Sequence, residues 1–214
     1  MTFNQSDALL VIDLQNDFCP PVDGAGGALA VIDGHTIVPL INTLAAAMPH
    51  TILTQDWHPE DHISFATTHT KNPYEIIAAP YGPQVLWPDH CLQHSHGAAF
   101  HPALDVPQAE LILRKGFRQE IDSYSAFLEN DHTTPTGLAG YLRERGITRL
   151  FLCGLAYDFC VRYSALDGKA LGFETIVIED ASKAVNLGSS VADTNEALAA
   201  EGILRIHSSE MLAS

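Results

Sequence analysis

The feature that most constrains this chain is a recurrence of short apolar runs ending on polar side chains, separated by segments with helical spacing. The runs are ALLVIDL (8–14), HTILTQDW (50–57), ELILRKG (110–116), TRLFLCG (148–154), FETIVIED (173–180) and ILRI (203–206). They are short for core helices and rich in consecutive apolar residues, so they read as strands buried on both faces, as in a parallel sheet. TIVPLINTLAAAM (36–48) sets Ile37, Leu40, Ile41, Leu44 and Met48 along one helical stripe. GLAGYLRERG (137–146) and DFCVRYSALDGKALG (158–172) end on glycines that stop helices, and SVADTNEALAAEG (190–202) reads as a further helix. The alternation predicts a three-layer α/β/α fold around a central, mainly parallel six-stranded sheet with right-handed crossovers. Its length suits a single domain over residues 1–214.

Composition narrows the partners. With 26 acidic against 11 basic residues the formal net charge is -15, a surface that repels phosphate backbones and anionic lipid. The longest apolar runs fall well short of the roughly 20 residues of a membrane span. MTFNQSD lacks the basic start of a signal peptide, and Cys19, Cys91, Cys153 and Cys160 form neither a CxxC nor a regular framework. A reducing, cytoplasmic setting is expected, with a small molecule as partner and neither nucleic acid nor membrane; a homo-oligomer is left open.

Residues 58–109 show no clear periodicity. They hold His58, His62, His69, His90, His94, His96 and His101 among prolines, glycines and aromatics. A stretch of that length without regular structure is usually functional, so it is expected to form part of a site.

In open parallel sheets ligands gather beyond the carboxyl ends of the strands. Those ends carry Asp13, Asp56, Lys115 and GLAYDFC (154–160). With Asp158 as N-cap, Cys160 would fall in the first turn of a helix, where free N–H groups and the helix dipole favour a thiolate. A nearby Lys115 would lower the thiol further, and Asp13 could carry its proton. A buried thiol serving as apolar filler would have the same local sequence. Asp56 and His58 share one face of an extended segment, His62 follows, and His90 sits in WPDHC. A carboxylate with imidazoles suits zinc, iron(II) or manganese; a polar surface loop would also carry such residues. Phe18, Trp57, Trp87, Tyr124 and Phe159 stand near these positions and could wall a flat substrate or simply pack.

Seven segments, VIDLQNDF (11–18), TQDWHPEDHISF (54–65), LWPDHC (86–91), FHP (100–102), LRKG (113–116), DSYSAF (122–127) and GLAYDFCV (154–161), together resemble the nicotinamidase/pyrazinamidase branch of the isochorismatase-like cysteine hydrolases, in the family's order and over most of the chain. The resemblance implies a catalytic triad of Asp13, Lys115 and Cys160. It implies one divalent metal, zinc first with iron or manganese as alternatives, on Asp56, His58, His62 and His90. It implies Phe18 and Trp87 flanking a pyridine ring, with Tyr124 beside them. The N–H groups of Ala156 and Cys160 would form an oxyanion hole after a cis peptide preceding Ala156. The implied reaction converts nicotinamide, and pyrazinamide, to the acid and ammonia through a Cys160 thioester, in the recycling of pyridine for NAD. Tyr157 stands where a small polar residue, often Thr, is usual, and is expected to alter the pocket beside the oxyanion site. Rival readings are a hydrolase of carbamoyl-type amides, a vinyl-ether hydrolase, against which the cysteine argues, and a non-catalytic metal-binding member, against which the retained triad argues.

Overall fold

The computed structural model describes residues 1–21 and 26–212; residues 22–25, in the Gly/Pro-rich loop, and 213–214 lie outside the described residues. In chain order the elements are β1 (Asp7–Ile12), α1 (Val38–Ala47), β2 (His50–Asp56), β3 (Ile76–Ala79), β4 (Gly82–Val85), β5 (Leu111–Lys115), α2 (Leu138–Glu144), β6 (Arg149–Leu155), α3 (Arg162–Ala170), β7 (Glu174–Lys183), α4 (Ser190–Ala200), β8 (Leu204–Ile206) and α5 (Ser208–Leu212). Six strands pair in the order β5-β2-β1-β6-β7-β8. Every neighbouring pair in that sheet is parallel.

The strand sequences explain the layers. Alternate side chains of a strand face opposite sides. Leu9, Val11, Leu53, Phe151, Cys153 and Ile176 therefore join α1 and Met211 of α5 in one core. Ala8, Leu10, Ile12, Ile52, Leu150, Leu152 and Val177 join Leu138 and Leu142 of α2, Ala165 of α3 and Leu198 of α4 in the other. Both faces are covered, which is why these strands read as nearly unbroken apolar runs.

Register then assembles a site. Asp56 pairs with Lys115 across β2 and β5, and Ile12 pairs with Gly154 across β1 and β6. The carboxyl ends of four adjacent strands thus stand level. From the central β1 the chain builds outward through β2 to β5, then crosses over to β6, so β1 and β6 flank the point where the winding reverses. Ligands of open α/β sheets bind at such a point.

Three sequence expectations need correction. Residues 58–109 contain a two-stranded antiparallel hairpin of β3 and β4. At four residues each, these strands are too short to show a period. The predicted helix from 158 begins instead as a π-helical turn over Tyr157–Val161, and Asp158 does not cap it. The strand predicted to end at 180 continues to Lys183, and α5 follows β8. Among the described residues no helix is long and apolar enough to cross a membrane.

Candidate active site

Lys115, at the end of β5, is the hub of the strand-borne groups. It is buried, and its ammonium lies 2.8 Å from Asp13 Oδ2 and in close contact with Asp56 Oδ1. It also donates to Ser123 O at 2.9 Å and to Cys160 Sγ at 3.4 Å. Two carboxylates on one buried lysine raise its pKa well above the ordinary value despite burial, so it remains a cation. Asp13 follows β1 in the left-handed region, φ 48°, which turns its side chain out of the ladder. The Thr54 hydroxyl donates to Asp13 Oδ1 at 2.6 Å and accepts the Asp13 N–H at 3.1 Å. Burial drives the Asp13 carboxyl up to about 6, against the pull of Lys115. Asp13 Oδ2 is buried without an aligned hydrogen-bond donor, although Lys115 lies close.

Cys160 corrects the expected electrostatics. Burial pushes its thiol well above the ordinary value, Lys115 pulls it down, and Asp13 and Asp56 push it up again. The net direction favours the thiol, opposite to the shift expected from the helix start alone. Ala156 O accepts from the N–H groups of both Phe159 and Val161, at 3.1 Å each, so the α-helical bond from Cys160 to Ala156 is skipped. Such π turns recur at functional sites. The Leu155–Ala156 peptide is cis.

Asp158, buried in this turn, accepts from the N–H groups of Val185 (2.9 Å) and Asn186 (2.8 Å) and from Ser190 Oγ (2.5 Å). It therefore ties the turn to the β7–α4 connection. Tyr157 points away from the cleft. Its hydroxyl meets Asn195 Oδ1 at 2.6 Å, in a separate surface groove with Arg205 and Glu179. The expectation that it shapes the pocket is thereby corrected.

The other half of the site hangs on the 57–101 segment. His58 donates its Nδ1–H to Gly116 O, and His90 donates its own to Pro88 O, both at 2.8 Å. A carbonyl can only accept, so in each neutral ring Nε2 carries the lone pair. Those two atoms lie 3.7 and 4.0 Å from Asp56 Oδ2, the oxygen not engaged by Lys115. Asp56, His58 and His90 form one three-donor group, and anchoring of Nδ1 by a backbone carbonyl is how metal-binding histidines are usually oriented. His62 has the opposite tautomer. Its Nδ1 meets the Ser64 hydroxyl at 2.7 Å, and its Nε2–H points to Ile121 O at 3.3 Å. The structure groups it with His58 and Asp122 instead. Burial and the neighbouring His58 lower His62 and His90 to about 4; at Asp56 burial pushes up, and Lys115, His58 and His90 together outweigh it and hold the carboxyl low.

A small cleft joins the halves. Phe18, Trp87, Tyr124, Ala156 and Cys160 line it together with Asp56, His58 and His90. Sequence reasoning assigned no role to Asp122, Leu29 or Val185, which also line it. Asp122 opens the quoted DSYSAF and was within reach; Leu29 and Val185 carry no local signal. His69, His94, His96 and His101 do not line it, and Trp57 instead sits under Arg114, whose guanidinium carbon is 3.7 Å from the indole centroid. The other three cysteines are buried, as expected for structural thiols.

Known proteins share the sequence pattern and the fold. The Isochorismatase domain model matches residues 7–205. A nicotinamidase from Acinetobacter baylyi is 50% identical over 206 residues, covering 96% of this chain and 94% of the relative. Among solved structures, a nicotinamidase and pyrazinamidase from Acinetobacter baumanii superposes with a TM-score of 0.94 at 52% identity, covering 98% of this chain and 99% of the other. PnC1 from L. infantum, solved in complex with nicotinate, gives 0.84 at 37%, covering 98% and 96%. By the extent of that match and by its identity to these relatives, this chain belongs to the isochorismatase domain family.

Proposed function

We propose that this chain, as one cytoplasmic domain, is a nicotinamidase that hydrolyses nicotinamide, and pyrazinamide, to the acid and ammonia in the recycling of pyridine for NAD. One observation carries the reading. A single small cleft brings a thiol beside a buried Lys–Asp pair together with the adjoining Asp56–His58–His90 group and aromatic side chains. A thiol next to a proton acceptor suits covalent attack on an amide carbon. The donor set suits a borderline divalent metal, with zinc as the first choice and iron or manganese as alternatives.

Asp56, His58 and His90 would hold the metal, with His62 and Asp122 beside them. When bound, the metal supplies a Lewis-acid contact that orients the ring nitrogen, directly or through water. The chain's own residues do the rest. Phe18 and Trp87 hold the flat ring. Asp13, ion-paired to Lys115 through Oδ2, takes the Cys160 proton, and the sulfur attacks the amide carbon. The N–H groups of Ala156 and Cys160 receive the oxyanion; the bond skipped in the π turn supports this role for Cys160. Asp13 then gives its proton to the departing nitrogen, the C–N bond breaks and ammonia leaves a thioester. Asp13 next takes a proton from water, whose oxygen attacks the same carbon. The C–S bond breaks, Cys160 regains a proton and the acid is released. Lys115 stays charged throughout, pairing with both Asp13 and Asp56 and favouring the thiolate as it forms.

The test is ammonia release from nicotinamide by the metal-loaded protein, with Cys160→Ala beside it. Release by the first and none by the second is expected. Turnover by the variant near the wild-type rate would exclude the covalent route. No release by the wild type would redirect the search to carbamoyl-type amides.

A further inference from the structure

We infer that Tyr124 is a dedicated hydrogen-bond donor to the oxygen of the bound amide, and that Gln84 and Trp87 fix its direction. The inference rests on the amidase reading above, because it uses what that reading leaves unclaimed on the substrate.

Hydrogen-bond polarity supplies the argument. Tyr124 Oη lies 3.1 Å from Trp87 Nε1 and 3.1 Å from Gln84 Nε2. An indole nitrogen only donates. The Gln84 amide, buried on β4, has its own orientation forced. Its nitrogen faces Val85 O at 2.7 Å and Asp122 Oδ2 at 2.8 Å, both acceptors, while its oxygen receives Tyr81 OH at 3.0 Å and Asn130 Nδ2 at 3.3 Å. Flipping the amide would set oxygen against a carbonyl and a carboxylate. Trp87 Nε1–H therefore donates to the Tyr124 oxygen, while the two N–H bonds of Gln84 are taken by Val85 O and Asp122 Oδ2, so the Gln84 nitrogen beside Tyr124 offers its O–H no acceptor. Among the described residues its own O–H has no acceptor. Burial and the charge of Asp122 also push its pKa well above the ordinary value, so the proton stays on the oxygen.

An O–H left unpaired in a desolvated cleft is costly unless a ligand completes it. Tyr124 lines the cleft together with Cys160 and the Asp56–His58–His90 group. A pyridine carboxamide has only two acceptors in its plane. The ring nitrogen is taken by the metal end, and the amide NH2 donates. The carbonyl oxygen remains, and on attack it gains a third lone pair beyond the two backbone donors. Tyr124 would supply the donor for it, and the bond would strengthen as charge develops.

The experiment is steady-state hydrolysis of nicotinamide by wild type and Tyr124→Phe, with melting temperature and bound metal measured on both. The expected result is a fall in kcat on the order of 100-fold, KM changed by less than about threefold, and melting temperature and metal content held, the pattern of a contact made in the transition state. A kcat within about threefold of wild type overturns the inference. So does a loss confined to KM, or one that tracks lost metal or lost stability, since loosening of Trp87 alone would produce those. If the wild type itself releases no ammonia, the amidase reading has failed, which is a separate outcome.

Discussion

The two halves of the cleft are built differently. The thiol half stands on strand ends: Asp13 after β1, Lys115 at the end of β5, and Cys160 one turn beyond β6. Its geometry is set by ladder register, chiefly Asp56 against Lys115 and Ile12 against Gly154. The imidazole and aromatic half stands on a long connection with little regular structure. There, side chains replace the ladder. Gln15 Nε2 donates to Asp56 O and Ala98 O, Gln55 Nε2 donates to Ala98 O, and Asp17 Oδ2 accepts the Cys91 N–H beside His90. The first half should fail together with the fold, whereas the second can fail alone.

The largest effect expected is on turnover. Cys160→Ala should lower kcat by about 10⁴-fold or more while metal content and melting temperature hold. His90→Ala should instead lose metal, read by equilibrium dialysis, with the sheet intact by circular dichroism. If Cys160→Ala also released the metal, the two halves would be one unit and the contrast would be wrong.

Two glycines sharpen the contrast in stability. A Cβ at Gly154, φ 116°, would stand 2.1 Å from Ile12 O, a backbone atom inside the sheet. Gly154→Ala should cost at least about 3 kcal/mol in denaturant unfolding. A Cβ at Gly97 would stand 1.9 Å from Asp17 Oδ2, a side chain that can move. Gly97→Ala should cost about 1 kcal/mol and weaken metal affinity about tenfold, because Asp17 would release the Cys91 N–H and let His90 drift. Equal losses of stability in the two variants would contradict the division.

The same division explains what the sequence reveals. Strands buried on both faces announce themselves as apolar runs, and their last residues name Asp13, Asp56 and Lys115 without knowledge of strand order. Cys160 and the histidines of DWHPEDH become legible through the joint pattern of seven segments. The hairpin delivering Gln84 and leading to Trp87 is not legible, because four-residue strands carry no period. The split between His58 and His62 is also hidden. It depends on which ring nitrogen a distant carbonyl engages, Gly116 for one and Ile121 for the other. Leu29 and Val185 reach the cleft only through tertiary packing. Burial, which pushes the Cys160 thiol up against the helix start and Lys115, depends on tertiary packing that the local sequence does not show.

A pH profile tests the thiol half by itself. Burial outweighs Lys115 and raises the Asp13 carboxyl to about 6. The base is the ionised form, so kcat/KM should be level above about pH 6 and fall about tenfold per unit below it. An ordinary carboxylate near 3.9 would keep activity to about pH 4. The stability sign is opposite to that of an acid held low by a partner. A folded pKa above the unfolded one favours the fold while Asp13 is protonated, and that advantage is lost as pH rises through about 6. Asp13→Asn should therefore hold its melting temperature at pH 7 while losing activity. An acid limb below about pH 5, measured with metal content checked at each point, would mean that Lys115 prevails over burial.

The smallest effect expected is at Tyr157, where sequence and structure disagree most directly. Its place between Ala156 and Asp158 suggests a residue facing the oxyanion site. Its hydroxyl instead bonds Asn195 and receives Arg205 Nη1 at 3.4 Å, on the far side of the turn from the cleft. Tyr157→Phe removes that polar link and keeps the ring in its apolar setting among Val161 and Leu198. The variant should lose about 1 kcal/mol of stability, the net worth of one hydrogen bond. Its kcat/KM for nicotinamide and for pyrazinamide should each stay within about twofold of wild type. A change in the ratio of the two substrates beyond that would show the π turn transmitting the far groove to the oxyanion site, and the two sides of the turn could then no longer be treated as independent.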